Sequence, residues 1–290
     1  MKNSTIKYAF FGSSRFSVIV LDEMQKLGYI PTLVITTPDK PQGRKLVITP
    51  NPVKIWAVEK NIKFLTPEKL DTEFIQSLKN ESCELFIVAS YGKILPDALI
   101  NIPPRKTLNI HPSLLPKYRG ASPLQSAILD DTKNTGVTIM RIDEKMDHGP
   151  IVAQKQVTIN EWPTYEDFEI IMASEGAKLL ATILSDWSAG KIEEIEQDHS
   201  LATYTQKTSK EDGLIDLEGD PYFNFRKSQA YHEWPQAYFF VEHSGSKIRV
   251  KITSASFGSG KLVIEKVIPE GGKEMGYADF LSGYGNKVAR

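Results

Sequence analysis

Short apolar, β-branched runs alternating with helical patterns constrain this chain most. Ile6–Gly12 is such a run; it ends in Gly-Ser-Ser and leads into a helical pattern over Phe16–Leu27 and a turn at Gly28. Thr32–Thr37, Cys83–Ser90 and Thr107–His111 repeat the strand signal. Runs of this length with helices between them indicate βαβ units and a mostly parallel sheet, whose strands are buried on both faces and so read as unbroken apolar segments. Further strands are expected over Thr135–Ile142 and Ile151–Ile159. One long helix is expected over Thr164–Trp187, with Thr164 as N-cap and Glu166 and Asp167 beside the positive end of the helix dipole.

The texture changes after Gly190. The stretch KIEEIEQDHSLATYTQKTSKEDG is polar, has no sustained apolar period and reads as a linker crossing the surface. Beyond it, Ala237–Val241, Lys247–Thr253 and Lys261–Val267 alternate in polarity and are separated by Ser/Gly turns. The expected fold is therefore α/β: a Rossmann-like, mostly parallel sheet over 1–190, a linker over 191–209, and a small all-β, OB-like barrel over 210–290.

Composition narrows the function classes. With 41% hydrophobic and 24% charged residues among 290, a sizeable core can form. The net charge of -1, from 35 basic and 36 acidic residues, gives no bulk attraction for a polyanion, which would need a local basic patch. Cys83 is the single cysteine and lies in an apolar strand pattern, so it reads as a buried structural thiol and no internal disulfide can form. The N-terminal apolar run is short for a signal peptide and no segment reaches membrane-spanning length, so a soluble, cytoplasmic protein with no membrane partner is expected. A monomer is the default expectation and does not follow from these features.

Three places carry candidate chemistry. The first βα turn, Gly12-Ser13-Ser14-Arg15-Phe16-Ser17, holds only the first glycine of a dinucleotide fingerprint, so NAD is not expected. Asn109 and His111 occupy alternate positions of a strand and leave it on one face, at the carboxyl end where open α/β sheets bind ligands. A lone histidine there is commonly a hydrogen-bonded cap; Pro112 and Pro116 fix the backbone that follows, which suits a pocket wall. Ser113 lacks the elbow of a hydrolase nucleophile. Asp147, in a turn closed by Gly149-Pro150, could orient His111, whereas the adjacent His148 reads as surface. These residues lack the spacing of a metal site, and none is expected. The third place is Pro38–Pro52, longer than an ordinary βα loop and carrying Lys40, Arg44 and Lys45; it reads either as a decorated surface loop or as an arm that meets phosphate.

Taken together, these residues resemble the folate-dependent formyltransferases. The resemblance is carried by Asn109, His111, the run Ser113-Leu114-Leu115-Pro116 with Tyr118-Arg119-Gly120 and Pro123, then Gly136-Val137-Thr138 and Asp147. Within the family, the members acting on methionyl initiator tRNA are matched by three further features. These are Pro38-Asp39-Lys40-Pro41 with Gly43-Arg44 and Pro52-Val53-Lys54; Lys210-Glu211-Asp212-Gly213; and Pro269-Glu270-Gly271 with Met275 and Ala278-Asp279-Phe280-Leu281. The resemblance covers nearly the whole chain.

It implies transfer of a formyl group from 10-formyltetrahydrofolate to the α-amino group of methionyl initiator tRNA, without metal or NAD. Asn109 and His111 would then be oxyanion donors and Asp147 their charged partner. Folate would lie against Ser113, Leu114, Leu115 and Pro116, against Tyr91, Ile94 and Leu95, and against the Asp143–Asp147 loop. Arg44, with Lys40 and Lys45, would meet the acceptor stem, and Lys207 and Lys210 would add phosphate contacts. Competing readings are a formyltransferase acting on an amino-sugar nucleotide, a 10-formyltetrahydrofolate hydrolase, and a folate- or tRNA-binding module without turnover.

Overall fold

The computed structural model describes residues 6–42, 46–243 and 245–284. In chain order the strands of the N-terminal part are β1 (Tyr8–Phe11), β2 (Leu33–Ile35), β3 (Lys40–Gln42), β4 (Val47–Thr49), β5 (Phe64–Leu65), β6 (Leu85–Val88), β7 (Thr107–His111), β8 (Arg119–Gly120), β9 (Asn134–Arg141) and β10 (Ile151–Thr158). The helices are α1 (Arg15–Lys26), α2 (Pro52–Glu59), α3 (Thr72–Lys79), α4 (Asp97–Ile100), α5 (Pro123–Leu129) and α6 (Tyr165–Ser188). Seven strands form one sheet in the order β10-β9-β7-β6-β1-β2-β5. Its pairs from β5 to β7 are parallel, and β9 joins β7 antiparallel. Every residue of β1, β2 and β6 is buried, as the unbroken apolar runs require.

Local chemistry fixes the turns at the carboxyl ends of these strands. Ser14 caps α1 through a reciprocal capping box with Ser17. The buried Ser17 hydroxyl also donates to the Ala89 carbonyl at 2.6 Å, and the Ser13 hydroxyl donates to that of Tyr91 at 2.9 Å. The first turn is thus tied to the segment after β6. Helix α6 lies close on β7 because Gly176 faces Ile110, where any Cβ would overlap the isoleucine side chain. Thr164 accepts from the Asp167 backbone N–H and so caps this helix as its sequence suggests.

The segment Pro38–Pro52 is a hairpin rather than a bare loop. Strands β3 and β4 pair antiparallel with Lys40 opposite Thr49 and Pro41 opposite Ile48. Its base is pinned by Asp39–Lys54 at 2.7 Å and by Asn51, whose side chain caps α2, accepts from Thr36 and donates to the Thr37 carbonyl. Leu46, Val47 and Ile48 are exposed on it. Arg44 and Lys45, singled out above, lie outside the described residues.

The remaining elements are β11 (Tyr204–Thr205), α7 (Pro221–Ala230), β12 (Tyr238–His243), β13 (Ser246–Gly258), β14 (Lys261–Pro269), β15 (Met275–Gly276) and α8 (Tyr277–Tyr284). Strands β12 to β15 form a four-stranded antiparallel sheet over a core that includes Phe239, Val241, Val250, Ile252, Val267 and Phe280. Strand β13 runs past Thr253, where its alternation suggests an end, because a bulge between Ile252 and Ala255 shifts the register. The turn to β14 uses Ser259 and Gly260, both at positive φ, as a two-residue hairpin with matched twist requires.

The chain falls into two compact units. One runs to Arg119 and includes Gly136–Val157 and Ile170–Tyr204; the other comprises Gly120–Thr135, Thr158–Glu169 and the chain from Thr205.

Candidate active site

Strand β7 delivers Asn109 and His111 to one face, with Asn109 flanked by Val88 and Met140 and His111 paired with Thr138. His111 is 4% exposed, and its Nε2 lies 2.9 Å from the carbonyl oxygen of Tyr118. A carbonyl only accepts, so the hydrogen bond places a proton on Nε2. The other ring nitrogen, Nδ1, lies 3.7 Å from Asp147 Oδ1. An attractive contact there needs one more proton, on Nδ1 or on the carboxyl. The two side chains thus face each other as a His–Asp pair, with the carboxylate on the side of the ring away from Tyr118.

Asp147 is held by backbone as much as by side chain. It sits at φ +49°, in the left-handed region. The preceding turn is closed by Asp143, which accepts from the Lys145 N–H at 2.9 Å and pairs with His148 Nδ1 at 2.7 Å. On the far side, Gly149 packs on the Arg141 carbonyl, and Arg141 N–H donates to the Pro150 carbonyl at 3.0 Å. His148, expected at the surface, is instead half-buried and stacked on His199, with ring centroids 3.9 Å apart. Two consecutive side chains in a left-handed turn do not alternate as in a strand, so both face inward contacts.

The stretch read as a surface linker also enters the site. Ile195 bridges Ile151, and Gln197 is 5% exposed. The Gln197 amide donates to the carbonyls of Asp147 and Gly149 at 3.0 and 2.7 Å. Its oxygen accepts from Arg119 at 2.6 Å, and Arg119 is 1% exposed.

The residues expected to meet folate divide into supports and surface. Ser113 and Leu115 are buried. Thr138 holds them, accepting from the Leu115 N–H and donating to the Ser113 carbonyl, while Gln154 donates to the Leu115 carbonyl. Leu114 and Pro116 are half-buried, and Leu114 packs over Gly136. Leu95 is buried, and Ile94 is 78% exposed. Tyr91 is buried with its hydroxyl lacking a hydrogen-bond partner, and burial pushes the phenol up to about 12, so it remains a donor. A cavity of about 330 Å³ opens between α4 and the loop after β9, lined by Asp97, Ile100, Asn101, Arg141, Asp143 and His148 among others, but not by Asn109, His111 or Asp147.

Residues 6–184 match the formyl transferase family. The chain is 42% identical over 236 residues to the methionyl-tRNA formyltransferase of Chloroflexus aggregans, covering 81% of this chain and 76% of that protein. It is 35% identical to the Dictyoglomus thermophilum methionyl-tRNA formyltransferase over 96% of this chain and 97% of the relative. The chain belongs to the methionyl-tRNA formyltransferase family. It is accordingly an enzyme of formyl transfer. Its fold is also that of an N-formyltransferase from Helicobacter canadensis solved with folinic acid and dTDP-3-aminofucose (TM-score 0.60, 19% identity, 91% of this chain and 94% of the other).

In this formyltransferase the basic candidates sit on separate segments. Lys40 is exposed on β3, and Lys207 and Lys210 are exposed beside Ser122–Thr208 hydrogen bonds. One basic surface escaped the sequence reading. Lys247, Arg249 and Lys251 alternate along β13, opposite Glu242, Phe240 and Tyr238 of β12. Lys247 lies 4.8 Å from the Phe240 ring and Arg249 lies 5.4 Å from that of Tyr238. The period-2 alternation of β13 was the signal that could have revealed this face.

Proposed function

We propose that this formyltransferase moves the formyl group of 10-formyltetrahydrofolate to the α-amino group of methionyl initiator tRNA. The observation that carries the reading is the His111–Asp147 pair beside Asn109, at the carboxyl end of β7. The amine nitrogen attacks the formyl carbon, and the carbonyl oxygen gains charge. Asn109 donates to that oxygen from its side-chain amide, and His111 from Nδ1–H, since Tyr118 engages Nε2. Donors so placed contribute roughly 3–4 kcal/mol each when judged by removal. Asp147 takes the proton the amine loses, through a water, and returns it to N10 of the folate as the carbon–N10 bond breaks. The products are formyl-methionyl-tRNA and tetrahydrofolate, with no covalent enzyme intermediate.

The folate site lies, in this reading, at the carboxyl end of β7, where open α/β sheets bind ligands, and against the Asp143–Asp147 loop. Tyr91, Ile94, Leu95 and the Ser113–Pro116 turn form its surroundings in this reading, with no metal and no NAD. Residues 1–190 carry the reacting groups, 191–209 link and brace the Asp147 turn through Gln197, and 210–290 contact tRNA, in a cytoplasmic monomer. The aromatic and basic face of β12 and β13 supports the tRNA contact. Arg249→Ala is expected to reduce the slope of log affinity for tRNA against log salt by about 1, measured by binding at several salt concentrations.

Arg44 is assigned to the acceptor stem together with Lys40 and Lys45. Arg44→Ala is expected to cost about 1–3 kcal/mol in kcat/KM with methionyl-tRNA, while formylation of a minimal methionine ester is unchanged. Equal losses toward both acceptors would contradict the assignment.

A formylation assay offering methionyl-tRNA and an amino-sugar nucleotide side by side tests the substrate. Transfer to the tRNA alone is expected, and preferential transfer to the sugar would overturn the reading.

A further inference from the structure

Arg119, Gln197 and Asp147 are joined in a chain of hydrogen bonds that the reaction itself does not use. Arg119 is buried, and its Nε and Nη2 both donate to Gln197 Oε1, at 3.2 and 2.6 Å. Nη2 also donates to His199 Nδ1 at 2.9 Å, and Nη1 to the Tyr204 hydroxyl at 3.3 Å. With its oxygen fixed by a guanidinium, the Gln197 amide has one orientation available, and its Nε2 points at the Asp147 and Gly149 carbonyls. These contacts span 78 residues between Arg119 and Gln197 and 50 between Gln197 and Asp147.

The same segment grips the other half of the pair. Tyr118 N–H donates to Thr203 Oγ1 at 2.8 Å, and Arg119 N–H donates to the Thr203 carbonyl at 2.9 Å. Tyr118 is thereby set at φ +61° with its carbonyl on His111 Nε2. One stretch, from Gln197 to Thr203, thus braces both His111 and Asp147 through their backbone partners.

We infer that Gln197 is a positioning residue: held by Arg119, it fixes the left-handed peptide of Asp147 so that the carboxylate faces His111. The inference rests on the catalytic reading of Asp147 given above. The distance between the two side chains is set by the Asp147 backbone, and a displacement of about 1 Å in such a pair costs on the order of 100-fold in rate.

Gln197→Glu separates the roles. A glutamate keeps an acceptor oxygen for Arg119, but it has no N–H for the Asp147 and Gly149 carbonyls and sets an anion against them. In the full-length enzyme, single-turnover formylation of methionyl-tRNA by Q197E is expected to slow by about 10- to 100-fold. Affinity for folinic acid, a formyl folate that carries its formyl group on N5, is expected to stay at the wild-type value, while thermal unfolding shifts to lower temperature because two carbonyls lose their donor. In an Asp147→Asn background, Q197E is expected to cause no further loss, because Gln197 acts through Asp147. Gln197→Ala, which leaves the carbonyls to water, provides the same readings should Q197E fail to fold.

An active D147N overturns the catalytic reading, and with it the inference. An inactive D147N beside a wild-type Q197E rate overturns the inference alone. So does a Q197E loss that multiplies with that of D147N, or one matched by an equal loss of folinic acid affinity.

Discussion

Replacing Asp147 with asparagine is expected to slow formyl transfer by about 10²- to 10⁴-fold, the range general acid–base groups contribute. The substitution keeps size and shape, and the backbone contacts that hold the turn do not involve the carboxyl: Gln197 donates to the Asp147 carbonyl, and Asp143 closes the preceding loop through its own side chain. Asparagine also tolerates the left-handed backbone at φ +49°. What is lost is the charge 3.7 Å from His111 Nδ1. Without it, Nδ1 of His111 no longer faces an anion, and the amine proton loses its proposed acceptor at the point of attack. Single-turnover rates against folinic acid affinity provide the check: rate falls while affinity changes by less than about threefold. Turnover near wild type would remove Asp147 from the mechanism.

Much of this arrangement was legible in the sequence, and the divide follows physical lines. Strand β7 begins and ends where the run Thr107–His111 does, with Leu108 and Ile110 buried in the sheet between its polar positions. Asn109 and His111 stood out as polar residues interrupting that run. Asp147 was legible from the Gly149-Pro150 turn beyond it. The short helices α3, α4 and α7 were not, since a helix of 4 to 10 residues shows too little of a 3.6-residue period to register.

Arg119 and Gln197 were hidden for another reason. Arg119 has no signal in the sequence beyond the Tyr118-Arg119-Gly120 run, and Gln197 lies in a stretch whose polarity suggests solvent. Their importance comes from side-chain bonds to each other and to distant backbone, and such bonds leave no periodic trace. A buried arginine and glutamine are affordable only because each donor and acceptor is met. The polar interior of this site is therefore a long-range property, readable once the chain is folded and seldom before.

Gly149→Ala is expected to give the second large effect, on both folding and rate. A Cβ at this position would lie closer than 3.0 Å to the Arg141 carbonyl oxygen, with the Arg141 carbonyl carbon at 3.1 Å and Asp143 N at 3.3 Å. These neighbours are backbone and cannot rotate away. Arg141 ends β9, where Leu108 of β7 pairs with it, and its N–H holds the Pro150 carbonyl, so it is fixed from two sides. The new methyl must therefore push Gly149 outward, taking its carbonyl off Gln197 and shifting Asp147 two residues before it. Overpacking of this kind costs typically 1–3 kcal/mol, with the loss of a buried hydrogen bond adding about 1 kcal/mol. Thermal unfolding is expected to register that loss, and the folded fraction is expected to transfer formyl groups about 100-fold more slowly than wild type. Gly136→Ala serves as the contrast. Its Cβ would meet the Lys155 carbonyl and Leu114 rather than the Asp147 turn. Its stability is expected to fall by a similar amount while His111 and Asp147 keep their separation, so its rate per folded molecule should stay well above that of Gly149→Ala. Equal rates for the two variants would show that the turn at Asp147 is not what the rate depends on.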